Sequence, residues 1–248
     1  SIAIKKNLEV SILELENRVM GRVVSPEVSH FFLQKHLSEG VEFKFNRSVI
    51  DIEDINSQKR IICSDGTVMD VDTVVVGIGI RPNIELAVNS GLECQNGIIV
   101  DEHGQTSDAN IFAVGDCTNH PNNIYQQKLR LESVQNAVEQ AKSVAANIAG
   151  EPKPYQKVPW FWSDQYNIKL QIAGISHNHD QSVIRGDIKE EKFSVFYLQK
   201  KKLIALDAIN NQAVFLNGKK LIASKAEVPL ELLQNKNIDL RELVKQYS

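Results

Sequence analysis

Thr106-Ser107-Asp108-Ala109-Asn110-Ile111-Phe112-Ala113-Val114-Gly115-Asp116-Cys117-Thr118 is the stretch on which the reading of the chain turns. Polar turn formers lead into an apolar run, Ile111 to Val114, which stops at Gly115-Asp116. A run this short, bounded by turn chemistry, predicts a buried strand. A glycine at its carboxyl end lets a ligand approach closely. The acid beside it can accept hydrogen bonds from hydroxyl groups. Open α/β sheets hold ligands outside their strand ends, where this pair falls. A buried strand closed by a simple Gly-Asp turn accounts for the same residues equally well.

The chain has 248 residues, 42% of them apolar, which suffices for one large core or two smaller ones. A net charge of -3 offers no basic face for nucleic acid. Cys63, Cys94 and Cys117 form no Cys-x-x-Cys pair, and an odd set of scattered thiols suits a reducing, cytoplasmic compartment. No apolar run approaches the roughly 18 residues of a membrane span, so no membrane association is expected. No signal-peptide pattern is visible. His177-x-His179-Asp180 has a metal-like spacing, but it falls in a polar loop and lacks further ligands, so a solvated loop is favoured.

Ser1 to Asn7 reads as the last turns of a helix, with Asn7 as a left-handed cap. Leu8 to Leu13 predicts a strand that ends at Glu14. Ser25-Pro26 starts a helix with an N-cap serine and a proline at the first position; Val28, Phe31 and Phe32 face inward, and Gly40 ends it. Strands follow at 41–45, 49–52, 60–63 and 68–76, with an Asp65-Gly66 hairpin turn. Val74 to Gly79 predicts a strand inside a sheet, whose glycines admit a ligand or close packing. Asn83 is expected to cap a short helix ending at Gly91. After a looser loop, a helix over 129–148 carries Val134, Val138, Ala141, Ala145 and Ile148 as an apolar stripe, predicted to be core. Glu151-Pro152-Lys153-Pro154 is a stiff linker. Beyond it, strands at 169–173, 181–185, 193–198 and 203–209 precede helices at 213–223, 230–234 and 240–246, an α+β pattern.

Asp72-Thr73-Val74-Val75-Val76-Gly77-Ile78-Gly79-Ile80-Arg81-Pro82-Asn83, then Gly97-Ile98-Ile99-Val100-Asp101, then the stretch first quoted, stand in an order that resembles the flavoprotein pyridine-nucleotide oxidoreductases. More narrowly, the chain resembles the ferredoxin, rubredoxin and putidaredoxin reductases and their relative, apoptosis-inducing factor. Pro159-Trp160-Phe161-Trp162-Ser163-Asp164-Gln165 is similar to the opening of the C-terminal domain in bacterial ferredoxin reductases that serve oxygenase systems. The resemblance covers nearly the whole chain. Neither of the family's two glycine-rich dinucleotide fingerprints is in this sequence, so it reads as the C-terminal portion of such a protein.

The resemblance implies an α/β fold of partial nucleotide-binding, Rossmann-like domains, followed by an α+β C-terminal domain. Residues 1–79 would be the second part of an NAD-binding domain, 80–154 the C-terminal segment of an FAD-binding domain, and 155–248 the C-terminal reductase domain. It implies FAD and NAD(H) as cofactors and a small iron–sulfur electron carrier as partner; a homodimer is compatible with it. Gly115 and Asp116 would hold the ribityl and phosphate portion of FAD. Glu132, Ser133 and Val134 would place a helix N-terminus at the flavin ring, although Val134 stands where ferredoxin reductases often carry an aromatic. Trp162 would lie near the flavin edge or the electron path, and Trp160 would anchor the last domain. Glu14, with Glu16 beside it, would bind the adenosine ribose of NAD, and Gly77 and Gly79 would lie near the nicotinamide. Neither a catalytic side chain nor a metal is expected.

Two rival readings stand beside this one. A disulfide reductase of the glutathione reductase type should carry a His-Pro pair near the chain's end, yet no His follows His179 and His120-Pro121 falls elsewhere. A flavin-free interaction module fits the chain as it stands.

Overall fold

The computed structural model describes all 248 residues. They form two compact units, one of 1–79 with 165–167, the other of 80–164 with 168–248.

In the first unit, α1 (Ile2–Lys5) is followed by Asn7 at φ 58, the expected left-handed residue. β1 (Ser11–Glu14), α2 (Pro26–Ser38) and β2 (Glu42–Phe45) form a β-α-β unit whose strands pair in parallel, Ser11 opposite Glu42 and Glu14 opposite Phe45. The Ser25 hydroxyl accepts a hydrogen bond from the Val28 N–H at 3.3 Å, and Pro26 opens the helix as its sequence dictates. Val28, Phe31 and Phe32 are buried, and the chain leaves through Gly40 at φ 88. β3 (Val49–Ile55), β4 (Gln58–Cys63) and β5 (Val68–Val71) make an antiparallel meander. Gly66 turns between β4 and β5 at φ 83, which glycine adopts freely.

The strand expected through Val76 stops at Val71, and Val74 to Gly79 is irregular. Val75 and Ile78 are 90% and 86% exposed. The parallel sheet here consists of β1 and β2 alone, so no neighbouring strand pairs with this apolar run. Propensity without a partner strand makes no sheet.

The second unit begins with α3 (Glu85–Asn89), which has Ile84 rather than Asn83 at its N-cap and no side-chain cap. The remaining short elements are β6 (Ile98–Ile99), β7 (Thr118–Asn122) and β8 (Gln127–Leu129), joined in that order in one small sheet. β7 and β8 lie where the sequence predicts a loop. Ile111 to Val114 is extended but makes a single bridge, Gln105 to Phe112, and Ile111 and Val114 are over a third exposed. The expected buried strand is therefore a half-exposed extended segment.

α4 (Val134–Ile148) starts five residues later than expected, because Leu129 closes β8 and Ser133 supplies the N-cap, accepting from the Asn136 N–H at 3.1 Å. Its apolar stripe is not core. Val134 and Ile148 are 61% and 65% exposed, whereas Gln135, Asn136, Gln140 and Val144 are buried. The buried face is polar because it meets backbone groups that need hydrogen-bond partners.

After 151–154 come β9 (Trp160–Gln165), β10 (Ile168–Gly174), β11 (Gln181–Asp187), β12 (Lys192–Gln199) and β13 (Lys202–Ile209). They form one sheet in the order β11-β12-β13-β10-β9. α5 (Gln212–Ala223), α6 (Leu230–Gln234) and α7 (Leu240–Tyr247) follow. Their apolar faces, including Phe215, Leu221, Leu233 and Leu243, join Phe196, Leu206 and Ala208 of the sheet in one core. Trp160 packs half-buried against that core, as its anchoring role required.

His120 in β7 is 1% exposed, neither ring nitrogen has a hydrogen-bond partner, and its ring lies 5.2 Å from that of Tyr155. Burial pushes its pKa down to about 4. The unfolded chain binds this proton more readily, so the neutral ring stabilises the fold above its ordinary pKa, and that stability is lost as pH falls from about 6.5 towards about 4. His120→Phe should flatten this part of the pH dependence, which thermal unfolding of both chains across that range measures.

Candidate functional site

The cleft of interest lies within the second unit and is lined by Asp116, Glu132, Ser133, Val134, Ala137, Phe161 and Trp162. Its volume is about 440 Å³. Three segments distant in sequence meet here: the turn after Gly115, the start of α4 and the start of β9.

The turn is built from within. Gly115 has φ 86, a conformation that L side chains rarely adopt. Its N–H donates to Gln140 Oε1 at 2.7 Å, and its carbonyl accepts from the Thr118 N–H at 3.0 Å. The Thr118 hydroxyl sits 2.8 Å from Gly115 O and 3.0 Å from Gln140 Oε1, and its one proton serves one of the two. These bonds leave the Asp116 side chain exposed with no partner within the chain.

The start of α4 brings N–H groups to the same cleft. Ser133 takes the Asn136 N–H, and those of Val134 and Gln135 have no acceptor in the chain. With the helix dipole, they favour negative charge at this end. Arg130 adds to that field: its Nη1 donates to Glu132 Oε1 at 2.7 Å and reaches Asp116 O at 3.4 Å. The Glu132 carboxylate is thus engaged by a cation rather than left free. Val134 and Ala137 of α4, with Phe161 and Trp162 of β9, supply an apolar wall. Trp162 is 44% exposed, and its ring lies 5.3 Å from that of Trp160.

An FAD ribityl–flavin portion fits these residues. Asp116 is an unpaired acceptor for a hydroxyl, the N–H groups at α4 are donors for ring oxygens, and the aromatic wall covers a planar ring. Of the residues expected at the flavin, Asp116, Glu132, Ser133, Val134 and Trp162 line one cleft, with Gly115 forming its turn. Sequence reading missed Phe161, Ala137, Arg130 and Gln140. The last could have been found from the Gln135, Asn136 and Gln140 amides, which share one side of a helix opposite its apolar stripe.

The residues expected at NAD belong to the first unit. Glu14 closes β1, and its Oε1 accepts from the Glu16 N–H at 3.0 Å. Gly77 and Gly79 have nothing within 4 Å of an added Cβ, so both stand open rather than close-packed, and only Gly79, at φ 99, needs glycine for its backbone. His179 Nδ1 lies 2.8 Å from Ser176 O, and no group of three metal-ligating side chains occurs in the structure.

Residues 1–141 match the family model for pyridine nucleotide-disulphide oxidoreductases, and 160–244 match that for the reductase C-terminal domain. Putidaredoxin reductase of Pseudomonas putida is 40% identical over 98% of this chain and 58% of its own length. Rhodocoxin reductase of Rhodococcus erythropolis is 38% identical over 96% of this chain and 56% of its own. A ferredoxin reductase from Rhodopseudomonas palustris superposes with a TM-score of 0.94 at 40% identity, over 98% of this chain and 60% of that one. A putidaredoxin reductase in covalent complex with putidaredoxin gives 0.94 at 39% identity, over 98% and 59%. The chain thus spans a little under three fifths of the length of the curated relatives it matches.

Gln140→Leu keeps the volume but strands the Gly115 N–H, which should cost about 1–3 kcal/mol in urea denaturation. Val138→Ser, on the exposed face of the same helix, should change stability by less than about 0.5 kcal/mol.

Proposed function

The chain belongs to the pyridine nucleotide-disulphide oxidoreductase family, and on that premise we propose that it is part of an NADH-dependent, FAD-containing reductase of a small iron–sulfur electron carrier. The observation that carries the reading is the single cleft shared by Asp116, the start of α4 and Trp162. Its division into 1–79 for NAD, 80–154 for FAD and 155–248 as the reductase C-terminal domain belongs to the same proposal. So does a cytoplasmic location, towards which the structure adds that no helix is long and apolar enough to cross a membrane. The reading accommodates either a monomer or a homodimer.

Bound FAD would supply the redox chemistry, taking a hydride from NADH and releasing its electrons singly. The protein's part is binding and electrostatics. Asp116 accepts from a ribityl hydroxyl, and Gly115 keeps the backbone bent away from it. The Val134 and Gln135 N–H groups and the α4 dipole favour negative charge at the ring end of the cleft. Glu14 hydrogen-bonds the adenosine ribose, and its charge, with Glu16 beside it, repels a 2′-phosphate. Gly77 and Gly79 leave room for the nicotinamide. Trp162 stands on the way to the carrier. Beside it, Lys219 Nζ lies 5.6 Å from the Trp160 ring and 5.5 Å from the Phe215 ring, a cation suited to an acidic carrier surface.

Counting against the disulfide reductase alternative, the single His-Pro pair is His120-Pro121, and His120 is buried in β7 and does not line the cleft. In a chain extended to the length of its relatives, reduction of a ferredoxin should outpace reduction of oxidised glutathione; the reverse would overturn the reading. That protein should use NADH in preference to NADPH in steady-state assays. Asp116→Ala should weaken FAD binding by about tenfold or more, since a hydrogen bond to a charged group contributes roughly 1.5–3 kcal/mol. The fold should survive, because an exposed residue in a turn adds little to the core. Titration of FAD into wild-type and variant apoprotein measures the difference, and equal dissociation constants would remove Asp116 from the site.

A further inference from the structure

Arg185 of β11 is a buried cation without an ion pair. It is 7% exposed, and its guanidinium donates only to carbonyls: Nη1 to Leu233 O at 3.1 Å and Asn235 O at 2.6 Å, Nη2 to Ile238 O at 2.5 Å. These bonds use both Nη1 hydrogens and one on Nη2. The Nε hydrogen and one Nη2 hydrogen have no acceptor in the chain, so two of the five guanidinium donors are unused. No carboxylate lies within ion-pair distance. Asp239 acts on Arg185 from further off, and its carboxylate is held by Arg241 at 2.6 Å and caps α7. Burial pulls the Arg185 pKa below its ordinary value, the mark of a charge that the fold leaves uncompensated.

A cavity of about 280 Å³ opens beside it. Its lining adds Lys236, which has no ion-pair partner, and the side chains of Asn217 and Asn237. The Asn217 amide donates one bond, to Ala213 O at 2.9 Å, and the Asn237 side chain makes none within the chain. Two cations and two amide residues thus line one cavity whose single acid is already paired.

We propose that this cavity, in the C-terminal domain and separate from the flavin cleft, binds a phosphate group on Arg185 and Lys236. A guanidinium with two unused donors suits an oxyanion, and Lys236 adds a second cation to the same lining. Two cations in one lining suit the double charge of a phosphate better than the single charge of a carboxylate. The phosphate is free or carried on a small ester, since the cavity is open to solvent on one side.

Arg185 also ties β11 to the segment after α6, so its replacement can unfold the domain, and the test rests on exposed Lys236. Inorganic phosphate titrated into the 248-residue chain at constant ionic strength should raise its melting temperature saturably, whereas sodium chloride should not. In the amide NMR spectrum the side-chain signals of Asn217 and Asn237 should move with the same saturation curve. Lys236→Gln should weaken apparent phosphate affinity about two- to fivefold, the worth of one exposed charge pair. Lys189→Gln removes the same charge outside the cavity and should leave the affinity unchanged. Glycerol phosphate binding more tightly than inorganic phosphate identifies an ester as the occupant, and equal affinity identifies the free ion. No saturable shift, equal affinities for Lys236→Gln and the wild type, or signals moving only outside the cavity would overturn the proposal.

Discussion

Three buried amides on one side of α4 hold the cleft at Asp116 and Trp162 in shape. Gln135 Oε1 accepts from the Trp160 N–H at 3.3 Å, at the start of β9. Asn136 donates to Leu131 O at 3.2 Å and accepts from the Tyr155 hydroxyl at 3.0 Å. Gln140 accepts from the Gly115 N–H. One helix face thus fixes the Gly115 turn, its own N-terminal approach and the strand that carries Trp162. Each bond is worth about 1 kcal/mol net, but an orphaned buried partner costs more than the bond contributes, so the set resists piecemeal loss.

That polar face explains why α4 inverts the usual rule. The buried side of a helix is normally apolar, because it meets side chains. Here it meets the N–H groups of a turn and a strand start and the carbonyl of Leu131, groups that an apolar face cannot satisfy. The valine and alanine stripe is left on the outside. At its first turn Val134 becomes part of the cleft wall, so the same helix supplies donors from its backbone and apolar surface from its side chain.

How much of this the sequence disclosed follows from which signals are local. Caps and turns are local: Ser25-Pro26, Asn7, Gly40 and Gly66 all stand as their chemistry dictates. The strands and helices from β10 onward were legible within a residue or two, because each carries its own alternation or stripe and all of them share one core, whereas β9 was not predicted. Val74 to Gly79 and Ile111 to Val114 misled because an apolar run states a preference for burial without naming a partner strand: no strand pairs with the first, and the second meets only a single bridge at Gln105. β7 hid because Thr118-Asn119-His120-Pro121-Asn122 is dominated by residues depleted in strands and pairs through its backbone. The cleft residues drawn from resemblance converge on one place, yet Gln140 and Arg130, which hold that place, carry no motif of their own.

The division of labour between Gln140 and Asp116 follows from the cost of ordering. A turn at φ 86 held only by its ligand would have to be ordered at the moment of binding, and that entropy would be taken from the affinity. Gln140 and Thr118 form the turn inside the fold instead, from atoms that never touch the cleft. The Asp116 carboxylate is then left whole and open to the cleft. Arg130, which reaches the Asp116 carbonyl and binds Glu132, offsets the charge of two neighbouring acids without closing over the one that has to stay open. The Asp116 side chain stands without a partner because its backbone is supported by Gln140, Thr118 and Arg130 instead.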